Sequence, residues 1–232
     1  QGKFVQVALA QTSETLFASA TELALSIEAE TAAPLLPSVS CSVVPANWVK
    51  APVTLTGTVA GTNARGIVLA NGSIASFTNA AIAMGYSGNI TGTGGILVNN
   101  TSGTATTFSG TSTFTGPVQI TSGTLATTTA SALGNVLNPV NFANTAGVTL
   151  QLGANTEVGS ISGAGGTGGT ITLGANTLSF GGNNQNTTYA GTITGTGGIT
   201  KTGAGTTTLS NAGSSFGGTV NLNGGLVNLS AL

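Results

Sequence analysis

The stretches YSGNITGTGGI (86–96) and YAGTITGTGGI (189–199) are two copies of one phrase, and they decide the fold class of this chain. The copies begin at Tyr86 and Tyr189 and differ only where Ser87 and Asn89 are replaced by Ala190 and Thr192. Both are built from Gly, Thr and single aliphatic residues. An internal repeat of this kind is typical of a chain that stacks copies of one small unit.

The sequence around the phrase predicts many short strands. Runs such as VTLTGTV (53–59), GVTLQLG (147–153) and GTITLGANTLSFGG (169–182) alternate aliphatic residues with Thr, Ser, Asn or Gln. Alternation with a period of two indicates strands with one buried face. Gly-Gly, Asn-Gly and Ala-Asn steps supply turn positions between the strands.

Two architectures fit such strands: a β-sandwich or barrel, and a parallel β-solenoid. The repeat favours the solenoid, with about 20 residues per coil. Each coil would bury its inward aliphatic side chains on the coils above and below. Outward Thr, Ser and Asn would form polar ladders at the strand spacing of ~4.8 Å. Charges are nearly absent from residues 51–232, which fits this architecture because stacked like charges would repel one another.

Residues 1–50 have a different composition and form a separate N-terminal segment. They hold six of the nine charged residues and one glycine, Gly2. The sequence predicts a helix over residues 13–30, capped by Ser13 and followed by Pro34 and Pro37. Its apolar stripe would cover the first coils of the 51–232 solenoid domain or dock onto another subunit. The stripe residues that we expect at an interface are Leu16, Phe17, Leu23 and Ile27.

The composition excludes most catalytic and metal sites. The chain has no His and no Asp, its acids are five glutamates, and Cys41 is its one cysteine. No Ser-His-Asp triad and no Cys/His metal cluster can therefore form, and we predict no enzyme activity and no cofactor. A dyad of a serine with Lys50 or Lys201 is conceivable, but no serine is singled out. Cys41 is either a buried thiol or an intermolecular disulfide.

Three further classes of partner or site are disfavoured. A net charge of −1 gives no basis for binding nucleic acid. No apolar run reaches the length of about 20 residues that a membrane span needs. The glycines 163, 165 and 168 match G-x-G-x-x-G, yet a strand pattern follows them where a dinucleotide site needs a helix.

Residues 191–226 resemble the autotransporter-associated β-strand repeat of bacterial passenger domains. The family's pattern of paired glycines, a lysine, an aromatic-Gly-Gly-Thr turn and a final Gly-Leu is present. An earlier copy over residues 86–125 is degenerate, with Val98 in place of the lysine. The resemblance covers about residues 53–232. The matching positions are Gly191, Ile193, Gly195, Gly197, Gly198, Ile199, Lys201, Gly203, Gly205, Thr206, Leu209, Phe216, Gly217, Gly218, Thr219, Gly225 and Leu226.

The resemblance implies an all-β fold, a right-handed parallel β-helix that is secreted or displayed on a bacterial surface. Passengers of this family are usually much longer and are followed by a translocator barrel. We therefore expect a processed fragment or a stand-alone subunit, with Gln1 as a mature N-terminus. Stacked core aromatics are expected, rather than a sugar-binding face, at Phe108, Phe114, Phe142, Phe180 and Phe216. Tyr86 and Tyr189 are expected at the same structural corner.

The function that we predict first is extracellular self-assembly. A solenoid leaves an open strand edge at each end, and such an edge either is capped or pairs with another chain. Head-to-tail contact between copies would give a filament or surface matrix. The alternative is a monomeric adhesin fragment that contacts a host or neighbouring cell surface. The C-terminal residues that we expect at an assembly interface are Val220, Leu222, Leu226, Val227, Leu229 and Leu232.

Overall fold

The computed structural model of the protein describes residues 53–57, 61–64, 66–79, 83–100, 104–163 and 169–230. Every regular element in these ranges is a β-strand. The helix predicted over residues 13–30, with its four interface residues, lies outside the described residues. So do Cys41 and Leu232.

The described strands form a parallel β-solenoid with three faces, and all pairs among them are parallel. The prediction of an all-β solenoid is therefore confirmed. Face 1 contains nine strands: Val53–Gly57 (β1), Ile74–Asn79 (β4), Gly95–Asn99 (β7), Val118–Ser122 (β9), Pro139–Phe142 (β11), Ser160–Gly163 (β14), Thr187–Tyr189 (β17), Thr206–Leu209 (β20) and Leu226–Leu229 (β23). Face 2 contains eight: Gly61–Asn63 (β2), Met84–Tyr86 (β5), Ala105–Phe108 (β8), Thr124–Thr127 (β10), Thr149–Leu152 (β12), Thr170–Thr172 (β15), Thr192–Gly195 (β18) and Ser215–Phe216 (β21). Face 3 contains six strands in two hydrogen-bonded groups. The first group is Ile67–Leu69 (β3) and Ile90–Gly92 (β6). The second is Thr156–Val158 (β13), Leu178–Phe180 (β16), Ile199–Lys201 (β19) and Val220–Leu222 (β22).

The chain visits the faces in the same order in each coil, and the strand register gives the length of each coil. Val53, for example, pairs with Ala75 in the next coil. The shortest step between register partners runs from Ala105 to Thr124, and the longest runs from Gly163 to Tyr189. The expected coil of about 20 residues, at the short end of solenoid repeats, lies between these two extremes.

Face 3 continues through two coils that have no strand there. The backbone N–H of Thr113 donates to the carbonyl of Ile90 at 2.8 Å, and that of Asn135 donates to the carbonyl of Phe114 at 2.9 Å. The N–H of Gly159 then donates to Asn138 at 2.8 Å. Hydrogen bonds between coils therefore bridge the gap between β6 and β13 and satisfy these backbone N–H groups.

The core consists of columns of inward side chains, one residue from each coil. On face 2 a column of four fully buried aliphatic side chains runs through Leu125, Leu150, Ile171 and Ile193. Each side chain covers the one below, which removes apolar surface from water without a second layer of structure. Truncating one of them to Ala would cost about 2–5 kcal/mol.

The aromatic residues lie in the core, as predicted. Phe108, Phe114, Phe142 and Phe180 are buried, and Phe216 is partly buried. Successive inward positions on face 1 are Phe142, Gly163 and Tyr189. Because Gly163 has no side chain, the Phe142 and Tyr189 rings meet across it, with centroids 5.2 Å apart and an edge-to-face angle of 62°.

The two copies of the repeated phrase lie on different faces. Tyr86 ends β5 on face 2, whereas Tyr189 ends β17 on face 1. The expectation that these tyrosines share one structural corner is therefore wrong. The first copy runs from face 2 through face 3 to face 1, and the second runs from face 1 through face 2 to face 3. The phrase thus specifies a type of corner, and different corners of the coil can use it.

Glycines in the phrase have the same structural role in both copies. Gly92 and Gly195, at the same phrase position, have φ values of +100° and +121°. A Cβ on Gly95 would lie 2.6 Å from the carbonyl oxygen of Pro117, and a Cβ on Gly198 would lie 2.5 Å from that of Thr219. The corners thus bring the backbones of adjacent coils into contact, which only glycine permits.

A matched pair of alanine substitutions tests this corner. Gly195→Ala places a Cβ 2.8 Å from the backbone N and O of Gly174 at a positive φ. We expect it to lower the free energy of unfolding by about 1–3 kcal/mol, measured by urea denaturation. Gly217→Ala is the control, because its Cβ would have its nearest neighbour at 3.9 Å. Its effect should stay within about 0.5 kcal/mol, and equal losses in the two variants would contradict the corner argument.

Candidate binding surfaces

The described residues carry little charge from which to build a catalytic or metal site. Glu157 and Lys201 are their only residues charged at neutral pH. Glu157 is exposed on the outside of β13, and Lys201 is fully buried. No group of three His, Cys, Asp or Glu side chains lies together among the residues described. No helix in the part of the chain that the structure describes has the length and apolarity to cross a bilayer.

Lys201 is a buried cation held by backbone carbonyl groups. It lies at an inward position of β19, in register with Phe180 on one side and Leu222 on the other. Its Nζ donates hydrogen bonds to the carbonyl oxygens of Thr202 and Gly203, the second at 3.2 Å, and more weakly to Gly224 at 3.5 Å. These recorded partners are carbonyls and not a serine hydroxyl, so they give no support to a Ser–Lys dyad.

Face 2 presents an outward column of threonines that we name the threonine ladder. Thr124, Thr149, Thr170 and Thr192 are consecutive register partners, and all four are partly exposed. The Thr170 and Thr192 hydroxyls are 3.1 Å apart. Rungs repeat at ~4.8 Å and outward positions along a strand at ~6.6 Å. The ladder is therefore a regular, uncharged array of hydroxyl and methyl groups.

A second outward column lies two positions further along β15 and β18 and continues onto β21. It contains Thr172, Thr194 and Ser215, which are also in register. The sequence analysis predicted polar ladders in general but did not locate them, although the strand sequences TLAT, TLQL, TIT and TITG carry the signal. The threonines of successive strands can be aligned only from the strand register. Their spacing in the sequence is not constant, because the step from Thr124 to Thr149 is longer than the step from Thr149 to Thr170.

Asparagine amides tie successive coils together at the corners. Each of four asparagines accepts, through its Oδ1, a hydrogen bond from a backbone N–H one coil later at 2.7–3.1 Å. These amides satisfy N–H groups that the strands leave free, so the corners depend on them. The four pairs are Asn89 with Thr111, Asn155 with Thr177, Asn184 with Ala204, and Asn186 with Thr206.

The last described coil leaves apolar side chains in solvent. Val220, Leu222, Leu226 and Leu229 are 49%, 63%, 58% and 50% exposed, and Val227 is partly buried. The register places Val220 and Leu222 in the same inward columns as the buried Ile199 and Lys201. No strand among the described residues stacks on β22 or β23. These five residues predicted for an interface therefore lie together, while Leu232 lies outside the description.

Leu226 differs from its neighbours in this group. It is in register with the partly exposed Thr206, whereas Val227 is in register with the buried Thr207. Alternation along the strand therefore puts Leu226 on the outside of face 1 and Val227 and Leu229 on the inside. The inward positions with exposed apolar side chains in the last described coil are thus Val220, Leu222 and Leu229.

The chain is similar to a curated bacterial adhesin. That relative, described as adhesin BmaC autotransporter from Brucella suis biovar 1 (strain 1330), is 42% identical over 95 residues. The resemblance to an autotransporter passenger is confirmed. The match covers 40% of this chain and 3% of the relative's length. No protein-family model matches the chain, and no solved structure matches it.

Burial shifts the pKa of three side chains in this passenger-like solenoid. It lowers the pKa of Lys201 from 10.5, because the charged form is desolvated. It raises the pKa of Tyr86 and of Tyr189 above the usual 10.0 for the same reason. The Tyr189 hydroxyl also donates to the carbonyl of Gly169 at 2.8 Å.

These shifts predict a stability maximum near pH 10. Between the lowered pKa of Lys201 and 10.5, the unfolded chain binds more protons than the folded one, so stability rises with pH. Above pH 10 the unfolded tyrosines lose protons that the buried ones keep, so stability falls, by up to about 1.4 kcal/mol per pH unit for each tyrosine. Urea midpoints measured from pH 7 to 11 check this. Lys201→Met should remove the rise, and Tyr189→Phe should weaken the fall. A profile that both substitutions leave unchanged would contradict the assignment.

Proposed function

We propose that this chain is an adhesin-like segment of a bacterial autotransporter passenger, a non-enzymatic β-solenoid presented at the cell surface or secreted. The observation that carries the proposal is the 42% identity with an autotransporter adhesin, together with the solenoid fold. The scarcity of charged side chains among the described residues also favours a binding role over a catalytic one, since acid–base chemistry requires titratable groups.

The threonine ladder is the surface that best suits adhesion. Hydroxyl groups can both donate and accept hydrogen bonds, and the methyl groups beside them add van der Waals contact. A neutral, hydroxyl-rich partner such as the glycans of a host or neighbouring cell matches this chemistry. Each contact would be weak, but a repeating array makes many at once, and multivalency raises the overall affinity.

Charge substitutions on matched faces test the adhesive surface. The chain is displayed on a non-adherent bacterium, and binding to host-cell monolayers is counted. Thr149→Glu with Thr192→Glu places two charges on face 2, two rungs apart, and we expect roughly a tenfold loss of bound bacteria because carboxylates are desolvated at the contact. Thr188→Glu with Asn228→Glu places the same two charges on face 1 at the same separation, and binding should be retained.

The possible outcomes test two things separately: whether the chain is an adhesin, and whether the threonine ladder makes the contact. If the displayed parent chain gives no more adhesion than the empty host, the adhesin role is wrong. If adhesion occurs and both double variants retain it, the contact lies away from the threonine ladder. Protease resistance of the displayed variants controls for their folding.

A second candidate function is head-to-tail assembly of copies of this chain, in which the apolar side chains at the inward positions of β22 and β23 would supply the contact surface. Contact between that coil of one copy and a different surface of the next is heterologous and gives an open polymer. Leu222→Glu with Leu229→Glu should shift a polymeric species to monomer in light scattering and remove fibres from electron micrographs. Leu226→Glu, on the outside of face 1, should leave assembly unchanged. A parent chain that is monomeric at high concentration would overturn this candidate.

A further inference from the structure

The turn that links β3 to β4 contains one of the two Asn-Gly steps in this chain. Asn71 and Gly72 form its apex, and both are exposed. The base of the turn is closed by Ser73, whose N–H donates to the carbonyl of Ala70 at 3.0 Å and whose hydroxyl donates to the same oxygen at 2.6 Å. Gly72 has a φ of +71°, and a positive φ at the third of four residues is typical of a type II turn.

The next coil packs against the base of this turn and leaves its apex free. A Cβ on Gly94 would lie against the carbonyl oxygens of Ser73 and Ala70, the second at 2.8 Å. Within the part of the chain that the structure describes, no hydrogen bond holds the Asn71 side chain or the peptide between Asn71 and Gly72. The turn is therefore fixed where the chain enters and leaves it, and its apex can change conformation without breaking contacts between coils.

The second Asn-Gly step, Asn223–Gly224, links β22 to β23 and is packed on the preceding coil. The N–H of Asn223 donates to the carbonyl of Lys201 at 2.8 Å. A Cβ on Gly224 would lie 2.9 Å from the carbonyl oxygen of Gly203. The carbonyl of Gly224 also accepts a weak hydrogen bond from the Lys201 ammonium at 3.5 Å. Both residues of this step are thus restrained by the coil below, although the Asn223 side chain is exposed.

An Asn-Gly step whose peptide can rotate is able to modify itself. The backbone nitrogen of the glycine attacks the asparagine Cγ and forms a new C–N bond. The Cγ–Nδ2 bond breaks, and ammonia leaves with the proton of the glycine nitrogen, so that a cyclic succinimide remains. Water then opens the ring, giving aspartate or isoaspartate according to which C–N bond it breaks. Glycine favours the closure because it has no Cβ to obstruct rotation of the peptide.

We propose that Asn71 is a site of self-catalysed deamidation in the folded protein, and that packing between coils protects Asn223 from the same reaction. The product places a carboxylate on the edge between faces 3 and 1. It adds one negative charge to a chain that has a net charge of −1 and contains no aspartate. Isoaspartate also lengthens the backbone by one carbon, which a turn held only at its base can accommodate.

Reaction rates in the native and in the urea-unfolded chain separate the effect of structure from that of sequence. The parent chain is incubated in mildly alkaline buffer, and the conversion of amide to acid at Asn71 and Asn223 is quantified by mass spectrometry of proteolytic fragments. In urea the two sites should react at similar rates, because glycine follows both. In native buffer we expect Asn71 to stay within roughly threefold of its rate in urea, and Asn223 to be slowed roughly tenfold or more, since its coil must first open.

Controls within the chain identify the reaction. Asn71→Gln keeps an amide but would need a larger ring, so it should abolish both the mass gain and labelling by an isoaspartyl methyltransferase at this turn. Asn99 and Asn228 are also exposed but precede residues with side chains, and they should remain amides in both conditions.

Two results would overturn the proposal. If Asn71 reacts in urea but remains an amide in native buffer, the folded turn does not permit the ring to close, and Asn71 is not a deamidation site of the native protein. If folding slows Asn71 and Asn223 equally, or slows neither, the contacts between coils do not distinguish the two sites.

Discussion

The fold depends on matching each residue to the residue one coil away. Neighbouring coils are joined by parallel hydrogen bonds, so every inward side chain must pack on its partners in the coils above and below. Gly163 shows how strict this matching is. It leaves room for the Phe142 and Tyr189 rings to meet, and a larger residue in that column would separate them. The core is thus a set of columns, and the stability of each position depends mainly on its nearest neighbours.

The same matching explains why the corners are built from glycine and asparagine. Coils at a separation of ~4.8 Å leave no room for a Cβ wherever two backbones turn together. Gly195 and Gly198 occupy such places. At and beyond the strand ends, backbone N–H groups still need acceptors, and the amides of Asn89 and Asn186 supply them across a coil. The abundance of glycine and asparagine in this sequence is therefore a consequence of close coil spacing.

The sequence predicted the fold class because period-two alternation and the repeated phrase both reflect coil stacking. It did not predict which face each strand joins. The phrase encodes a corner with a positive-φ glycine, at Gly92 and at Gly195, and the coil contains corners on more than one pair of faces that accept it. The coils also differ in length, as the steps from Ala105 to Thr124 and from Gly163 to Tyr189 show. The position of a strand in the sequence therefore does not show which face it joins.

The candidate surfaces were predictable to different degrees. The apolar C-terminal residues could be identified because aliphatic residues alternate up to the end of the sequence, but the outward position of Leu226 required the register with Thr206. The threonine ladder required the alignment of four strands. Lys201 was visible as part of a repeat motif, yet nothing in the sequence showed that its ammonium is buried among carbonyl groups. Hydrogen bonds to backbone oxygens leave no pattern in side-chain identities.

The geometry of stacking also restricts how such a protein can bind. Like charges on adjacent rungs would lie ~4.8 Å apart and repel by about 1 kcal/mol per pair in water, and by more near a protein surface. Long outward columns must therefore be nearly neutral, as Thr124, Thr149, Thr170 and Thr192 are. A surface of this kind offers no strong ionic contacts, so the adhesive role proposed for it requires many weak contacts made together. A regular solenoid is well suited to this, because each added coil repeats the same hydroxyl and methyl groups at the same spacing.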